Sequence, residues 1–253
     1  MSDPENEDRH PLPRLPDPTL SQLLVSGVAI AVAVILLGAV AARIAQQVQL
    51  LQWWVPLVFI GGIAVADLAS GVVHWGADTW GRADLPVIGP RLLVPFRVHH
   101  LNPDDFLRRR FLDTNGDVAA VTIPALVALM VIPLDSAWAH VVAVGGFGCC
   151  ALGGMTNQIH QWAHMPSPPA VARALQKAGV VLRPSEHAGH HRGPYDTQYC
   201  ITTGWCNRPL EALRFFQRLE NVVTCLSGAV PRADERSLAA RARRRPRPEA
   251  QDV

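Results

Sequence analysis

Eight of the ten histidines in this 253-residue chain fall in four short clusters: His74, the pair His99 and His100, the doublet His160 and His164, and the triad His187, His190 and His191. Each cluster lies just beyond a long apolar run or in a polar segment between such runs. Imidazole is the commonest side chain for binding transition metals. Eight exceed what one tetrahedral zinc takes and suit a dinuclear site. Imidazole serves iron, copper and zinc alike; the count, by allowing two metals, is one part of the case for iron.

The spacing groups these donors. His160 and His164 are four apart, so a helix projects them from one face, and Asn157 lies one turn earlier. His187, His190 and His191 form an HxxHH cluster, which supplies several imidazoles from one stretch of chain. His74 begins HWGAD, and Asp78 shares its face if the preceding helix continues. Asp67, seven residues before His74, sits inside an apolar run. A carboxylate there is costly and usually functional. It is expected either to orient His74 by accepting a ring N–H or to bond a neighbouring span. Any one of these histidines reads as a satisfied polar residue, but eight gathered at one face do not.

The elements that must position them are apolar runs. Leu20 to Ala42 runs 23 residues without a charge, Trp53 to Val73 is broken only by Asp67, and Val118 to Leu134 and Ala137 to Met155 follow. A helix needs roughly 20 apolar residues to cross the hydrocarbon core. A buried soluble core explains one such run, not four. The expected fold is an all-α integral membrane protein: a four-transmembrane-helix bundle (20–42, 53–73, 118–134, 137–155) with a cytoplasmic His-rich cap carrying a dinuclear metal site. The first run reads as a retained anchor, because its flank is acidic (Asp3, Glu5, Glu7, Asp8) and no cleavage motif follows.

Orientation follows from the basic residues. With four spans, 22 of the 23 Lys and Arg fall on one side, Arg43 being the exception. The positive-inside rule makes that side cytoplasmic, with both termini and all eight clustered histidines there. His140 falls at the opposite face and His10 in the N-terminal segment, so both are set aside. Residues 1–19 read as a disordered tail, 20–230 as the membrane domain, and 231–253 as an Arg-rich disordered tail. Residues 168–182 read as a short amphipathic helix at the membrane surface, and 209–227 as a longer one on the cap. The membrane is the inner membrane in a bacterium, the endoplasmic reticulum in a eukaryote. The five cysteines lack CxxC spacing and read as small, reduced core residues. A transporter would carry ionisable groups through mid-span, where Asp67 is nearly alone, and nothing points to nucleic acid.

The segments DLASGVVHWGADTWG (67–81), PFRVHHLNP (95–103), FLDTNGD (111–117), TNQIHQWAHM (156–165) and EHAGHH with ITTGWCNRPLE (186–191, 201–211) resemble the CarF/Kua family of plasmanylethanolamine desaturases. The likeness runs in order from about Asp67 to Asp234. It implies a membrane di-iron desaturase that uses O2 and two electrons to remove two hydrogens from the alkyl chain beside the ether oxygen. The product is a vinyl ether phospholipid, a plasmalogen. The family's histidine motifs carry over to His74, His99, His100, His160, His164, His187, His190 and His191, with Asp78 a further carboxylate. Glu186 stands where animal members have a histidine, and either binds metal as a carboxylate or binds none.

The chemistry agrees, because a saturated chain has no acidic proton and no leaving group, and a redox metal must activate it. Arg97, Asn115, Asp117 and Arg192 are polar candidates for the substrate's surroundings. No flavin, haem or iron–sulfur signature is present, so a separate electron donor, cytochrome b5-like or ferredoxin-like, is expected at the Arg-rich face. A plant branch of the family acts on an acyl chain of phosphatidylglycerol, so an acyl-lipid desaturase or hydroxylase is the alternative. A non-catalytic membrane metal sensor or regulatory protein is the alternative of another class.

Overall fold

The computed structural model describes residues 12–193 and 195–232. His10 and, from residue 233 on, the Arg-rich tail lie outside them. Helices α1 (Leu20–Gln47) and α2 (Trp54–Thr79) lead through a π-helical turn (Gly89–Leu93) into α3 (Val94–Leu101) and α4 (Pro103–Leu107). Then come α5 (Phe111–Val131), α6 (Ala137–Gly153), α7 (Thr156–His164), α8 (Ala170–Ala178), α9 (Pro184–His190), α10 (Asn207–Ala212) and α11 (Phe215–Ser227). The described residues contain no strand.

Among the described residues, four helical stretches are long and apolar enough to cross a membrane: α1, α2, α5, and α6 with α7 taken together as Ala137–His164. The chain is a membrane protein. Helix α1 starts at a capping box, in which Thr19 Oγ1 accepts the Gln22 N–H and Gln22 Oε1 accepts the Thr19 N–H. Its outer face stays bare, with Leu24, Val28 and Ile35 each more than 60 % exposed, as lipid-facing side chains are.

The boundaries differ from hydropathy where polar residues are helical. Helix α5 begins at Phe111, ahead of the expected 118, because Asp113, Thr114 and Asn115 form its first turns; an acidic residue suits a helix N-terminus. It ends at Val131 because Ile132 precedes a proline and is extended. Helix α2 runs on to Thr79 and so carries His74 and Asp78 on continuous helix. The expected helix over 209–227 is two helices, parted where Arg214 adopts a left-handed backbone with φ 48°.

Helix α1 packs on α5, and α2 on α6. Glycine makes the second contact possible. A Cβ on Gly62 would fall 1.9 Å from the Gly145 carbonyl oxygen, and one on Gly148 would fall 2.4 Å from that of Phe59. Small residues at such crossings let membrane helices meet backbone to backbone. At the end of the bundle away from the histidines, Val40, Ile44, Leu126, Leu129 and Val144 form one buried cluster. There Arg43 donates to the Leu129 oxygen at 2.8 Å and the Ile132 oxygen at 2.5 Å. The one basic residue that breaks the charge asymmetry is thus a cap on the last carbonyls of α5.

Residues 12–19, expected to be part of a disordered tail, run as an extended strap over α4. Asn102 Nδ2 donates to the Pro13 oxygen, Arg108 to that of Leu15, and Arg109 to that of Pro16, at 3.1, 2.7 and 3.0 Å. Composition alone suggested disorder because these partners lie about ninety residues along the chain.

The glycine contact gives opposite signs at adjacent positions. Gly62→Ala should lower the melting temperature of detergent-solubilised protein, costing about 1–3 kcal/mol from overpacking. Gly61→Ala faces open space and should be neutral or stabilise by up to about 1 kcal/mol through helix propensity. Equal shifts in thermal unfolding would contradict the close approach.

Candidate metal centre

Each helix delivers its donors by simple helical geometry. Residues four apart share a face, whereas immediate neighbours diverge by about 100°. His160 and His164 on α7 point together, as do His187 and His191 at the end of α9. With His99 of α3 they form one group of five imidazoles whose ligand atoms lie within 4.8 Å of one another. His74 and Asp78 of α2 join His100 of α3 and His190 of α9 in a second group with the same 4.8 Å span. Helices α3 and α9 therefore feed both groups, splitting His99 from His100 and His190 from His191. Helix α7 serves only the first group and α2 only the second.

The nitrogens are crowded. His187 Nε2 lies 2.8 Å from His160 Nε2, 2.7 Å from His164 Nε2 and 3.0 Å from His191 Nε2. His191 Nε2 is also 3.1 Å from His99 Nε2, and His100 Nε2 is 2.9 Å from His190 Nε2. A ring nitrogen either donates one proton or offers one lone pair, so three neighbours around His187 Nε2 cannot all be satisfied through it. In the second group, Asp78 Oδ2 stands 3.3 Å from His74 Nε2, 3.6 Å from His190 Nε2 and 3.7 Å from His100 Nε2.

The protonation states fit metal binding. Burial first, and neighbouring imidazoles second, hold His99, His187 and His190 well below the usual imidazole range and push His191 down to about 3. Near neutral pH these rings are uncharged and keep a lone pair. His74 Nδ1 donates to the Tyr199 carbonyl at 3.0 Å, and His190 Nδ1 to the Thr197 carbonyl at 2.7 Å. Each bond fixes the tautomer and leaves Nε2 to face Asp78. His74 Nε2, fully buried, makes no hydrogen bond. Converging lone pairs and a carboxylate, closed off from water, are a donor set that suits a transition-metal cation.

The other sequence candidates sit elsewhere. Glu186 is in neither group, and its Oε2 packs on Gly204, 2.8 Å from where a Cβ would stand. Asp67 does not reach His74; it accepts the backbone N–H groups of Thr202, Thr203, Gly204 and Cys206, so neither expected partner is the observed one. Asn157 donates to the Thr114 oxygen at 2.8 Å, and Asn115 donates to Phe111 and Gln158. Arg97 donates to the Gly81 oxygen at 2.7 Å, and Asp117 pairs with Arg91 at 2.5 Å. Arg192 is exposed. His140 bonds the Leu134 oxygen at the opposite end.

Sequence reasoning missed the segment 195–199, which holds both of the chain's tyrosines. Tyr195 stacks on His100 with ring centroids 4.8 Å apart and planes 4° from parallel. Tyr195 and Gln198 have left-handed φ of 59° and 57°, uncommon outside glycine. These bends lie on either side of Thr197 and just before Tyr199, whose carbonyls meet His190 and His74. The only sequence signal was the two tyrosines so close behind the HxxHH cluster.

The chain matches the family described as the lipid desaturase domain over residues 63–234. It is 35 % identical over 234 residues to the plasmanylethanolamine desaturase of Myxococcus xanthus, covering 85 % of this chain and 80 % of that one. It is 41 % identical over 189 residues to plasmanylethanolamine desaturase 1 of Mus musculus, covering 71 % and 70 %. With the chloroplastic fatty acid desaturase 4 of Arabidopsis thaliana it shares 36 % identity over 178 residues, 68 % of this chain and 52 % of the relative. No solved structure matches.

The two groups separate Glu186 from the histidines experimentally. Removing the hub nitrogen with His187→Ala should weaken transition-metal retention by roughly tenfold or more, the scale on which metal sites respond to loss even of supporting contacts. Glu186→Ala should leave it unchanged. Elemental analysis of the purified proteins reads both, and metal loss on Glu186→Ala would restore the carboxylate as a ligand.

Proposed function

This chain belongs to the lipid desaturase family, and we propose that it converts the alkyl ether chain of plasmanylethanolamine to a vinyl ether with two iron ions, O2 and two electrons from a separate donor protein. The observation that carries the reading is the pair of largely buried donor groups side by side at one end of a membrane-spanning bundle. As a desaturase the chain is an oxidoreductase, which sets aside the non-catalytic sensor. The five-histidine group would hold one iron, and His74, Asp78, His100 and His190 the other. Bound iron supplies the O2-dependent, one-electron chemistry that an unactivated C–H bond requires.

The residues of the chain do the rest. Neutral imidazoles present lone pairs without having to lose protons on metal binding. A cavity of about 100 Å³ between α1, α5 and α6 is lined by apolar side chains that include Ile30, Ala33, Leu37, Ala119 and Leu126. Asn115 and Met155 also line it; Asn115 bonds α7 through Gln158, and Met155 directly precedes α7. We assign this cavity to the hydrocarbon chain, which would lie within the bilayer while the headgroup stays at the surface. Arg192 is the candidate cation left exposed to meet it. Arg173, Lys177, Arg183, Arg208 and Arg218 are also exposed on the cap. They support a cytoplasmic cap under the positive-inside rule and a docking face for an acidic electron-donor protein.

The fatty acid desaturase relatives favour a second reading, in which the same site desaturates an acyl chain. Lipid profiling of cells given an alkyl ether phospholipid, with and without this chain, distinguishes the two. Vinyl ether lipid appearing only with the chain supports the first reading; a new acyl double bond with no vinyl ether supports the second. His164→Ala should abolish the product while the protein remains in the membrane. Purified protein should carry about two irons per chain, the dinuclear stoichiometry known in other helix bundles; zinc without iron would end the iron reading. Ala33→Phe should fill the cavity and slow product formation by roughly tenfold or more, as misplaced substrates do, with metal content unchanged.

A further inference from the structure

Asp67 lies fully buried in the middle of a membrane-spanning helix, yet none of its hydrogen bonds goes to a histidine. Its Oδ1 accepts the N–H groups of Thr202, Thr203 and Gly204 at 3.2, 2.7 and 2.9 Å, and its Oδ2 accepts that of Cys206 at 2.9 Å. Four backbone donors on one carboxylate form a strong, charge-assisted clamp. Ser70, one turn along α2, accepts the Ile201 N–H at 3.1 Å while donating to the Asp67 carbonyl at 2.7 Å. Asn207 closes the loop on itself, accepting from Cys200 N–H at 2.9 Å and donating to the Cys200 carbonyl at 3.0 Å. The segment from Cys200 to Cys206 is thereby pinned to α2.

The residues just before this clamp carry the two carbonyls that hold imidazoles. Thr197 accepts from His190 and Tyr199 from His74. Both rings belong to the group that contains Asp78. The five-histidine group has no such support at two of its members, since the buried Nδ1 atoms of His99 and His187 have no hydrogen-bond partner. The two groups are thus built differently. One is braced through the backbone at His74 and His190 by way of a remote carboxylate, and the other lacks that brace at His99 and His187.

We infer that Asp67 is a positioning residue for one metal position only, the one formed by His74, Asp78, His100 and His190. The inference rests on the two-metal reading proposed above. Asp67 sets the loop, the loop sets the Thr197 and Tyr199 carbonyls, and those carbonyls set the tautomer and aim of two of the three imidazoles there. Loss of such outer contacts weakens metal affinity by roughly 10- to 100-fold.

Iron per chain, measured on purified full-length protein from iron-supplemented cells, tests it. The unaltered chain should hold about two irons, and Asp67→Ala, like Asp78→Ala, about one, as expected when a supporting contact is lost. The double variants decide which position is lost. Asp67→Ala with Asp78→Ala should still hold about one iron, because both act on the same position, whereas Asp67→Ala with His187→Ala should hold almost none. Retention of both irons by Asp67→Ala, or loss of both by the Asp67 and Asp78 pair, overturns the inference; the second result is what a general loosening of the fold would give. If Asp67→Ala does not accumulate, Asn207→Ala disturbs the same loop from its other end and should show the same pattern of pairing. A single iron in the unaltered chain would overturn the dinuclear reading itself. Two irons there, with Asp67→Ala unaffected, would leave that reading intact and remove only the role of Asp67.

Discussion

The rest of the structure depends on crowding eight imidazoles together, six of them buried and two, His164 and His191, half-buried. Nitrogens 2.7 to 3.1 Å apart around His187 and His191 repel when their lone pairs converge, and protonating them is opposed by burial and by each other. An unpaired polar group in such a place is expensive. A cation answers the whole set at once. The fold therefore has to hold these side chains together at a cost that only ligand binding offsets, and most of its irregular features serve that end.

The membrane bundle supplies the rigidity. Helix α2 enters the cap as an unbroken continuation of a spanning segment, so His74 and Asp78 inherit a position fixed by the close contacts of α2 with α6, at Gly62 against Gly145 and at Phe59 against Gly148. Helix α7 follows α6 after a break at Gly154 and Met155, so His160 and His164 are tied to the partner in that same crossing. The short helices α3 and α9 are held less directly. Helix α3 is steadied through α4 and the strap of residues 12–19, which join it to the foot of α1. Helix α9 starts with Pro184 at a helix-initiating position and is followed by the bent segment 195–199.

Periodicity carried much of this into the sequence. The four apolar runs, the convergence of His160 with His164, and the placement of Asp78 beside His74 all follow from 1.5 Å and 100° per residue. What it could not carry are contacts made by backbone atoms. The Thr197 and Tyr199 carbonyls have no side-chain signature, and the four N–H groups on Asp67 belong to residues as ordinary as Thr202 and Gly204. The start of α5 was hidden for a related reason: Asp113, Asn115 and Asp117 break the hydropathy signal but not the helix. The strap was hidden because a Pro-rich composition says nothing of distant arginines.

Glu186 shows how a local motif misleads without its surroundings. It precedes His187 and is four residues before His190, so helical spacing alone would put it on the His190 face. Helix α9 begins only at Pro184, however, and in that first turn the side chain packs on Gly204, whose N–H is bound by Asp67. Two carboxylates thus flank the 202–206 loop, and neither is a donor in either histidine group. Among the described residues, Asp78 is the one carboxylate in either histidine group. The difference comes from the backbone: a continuous helix carries Asp78 inward, while a helix just starting leaves Glu186 at the loop.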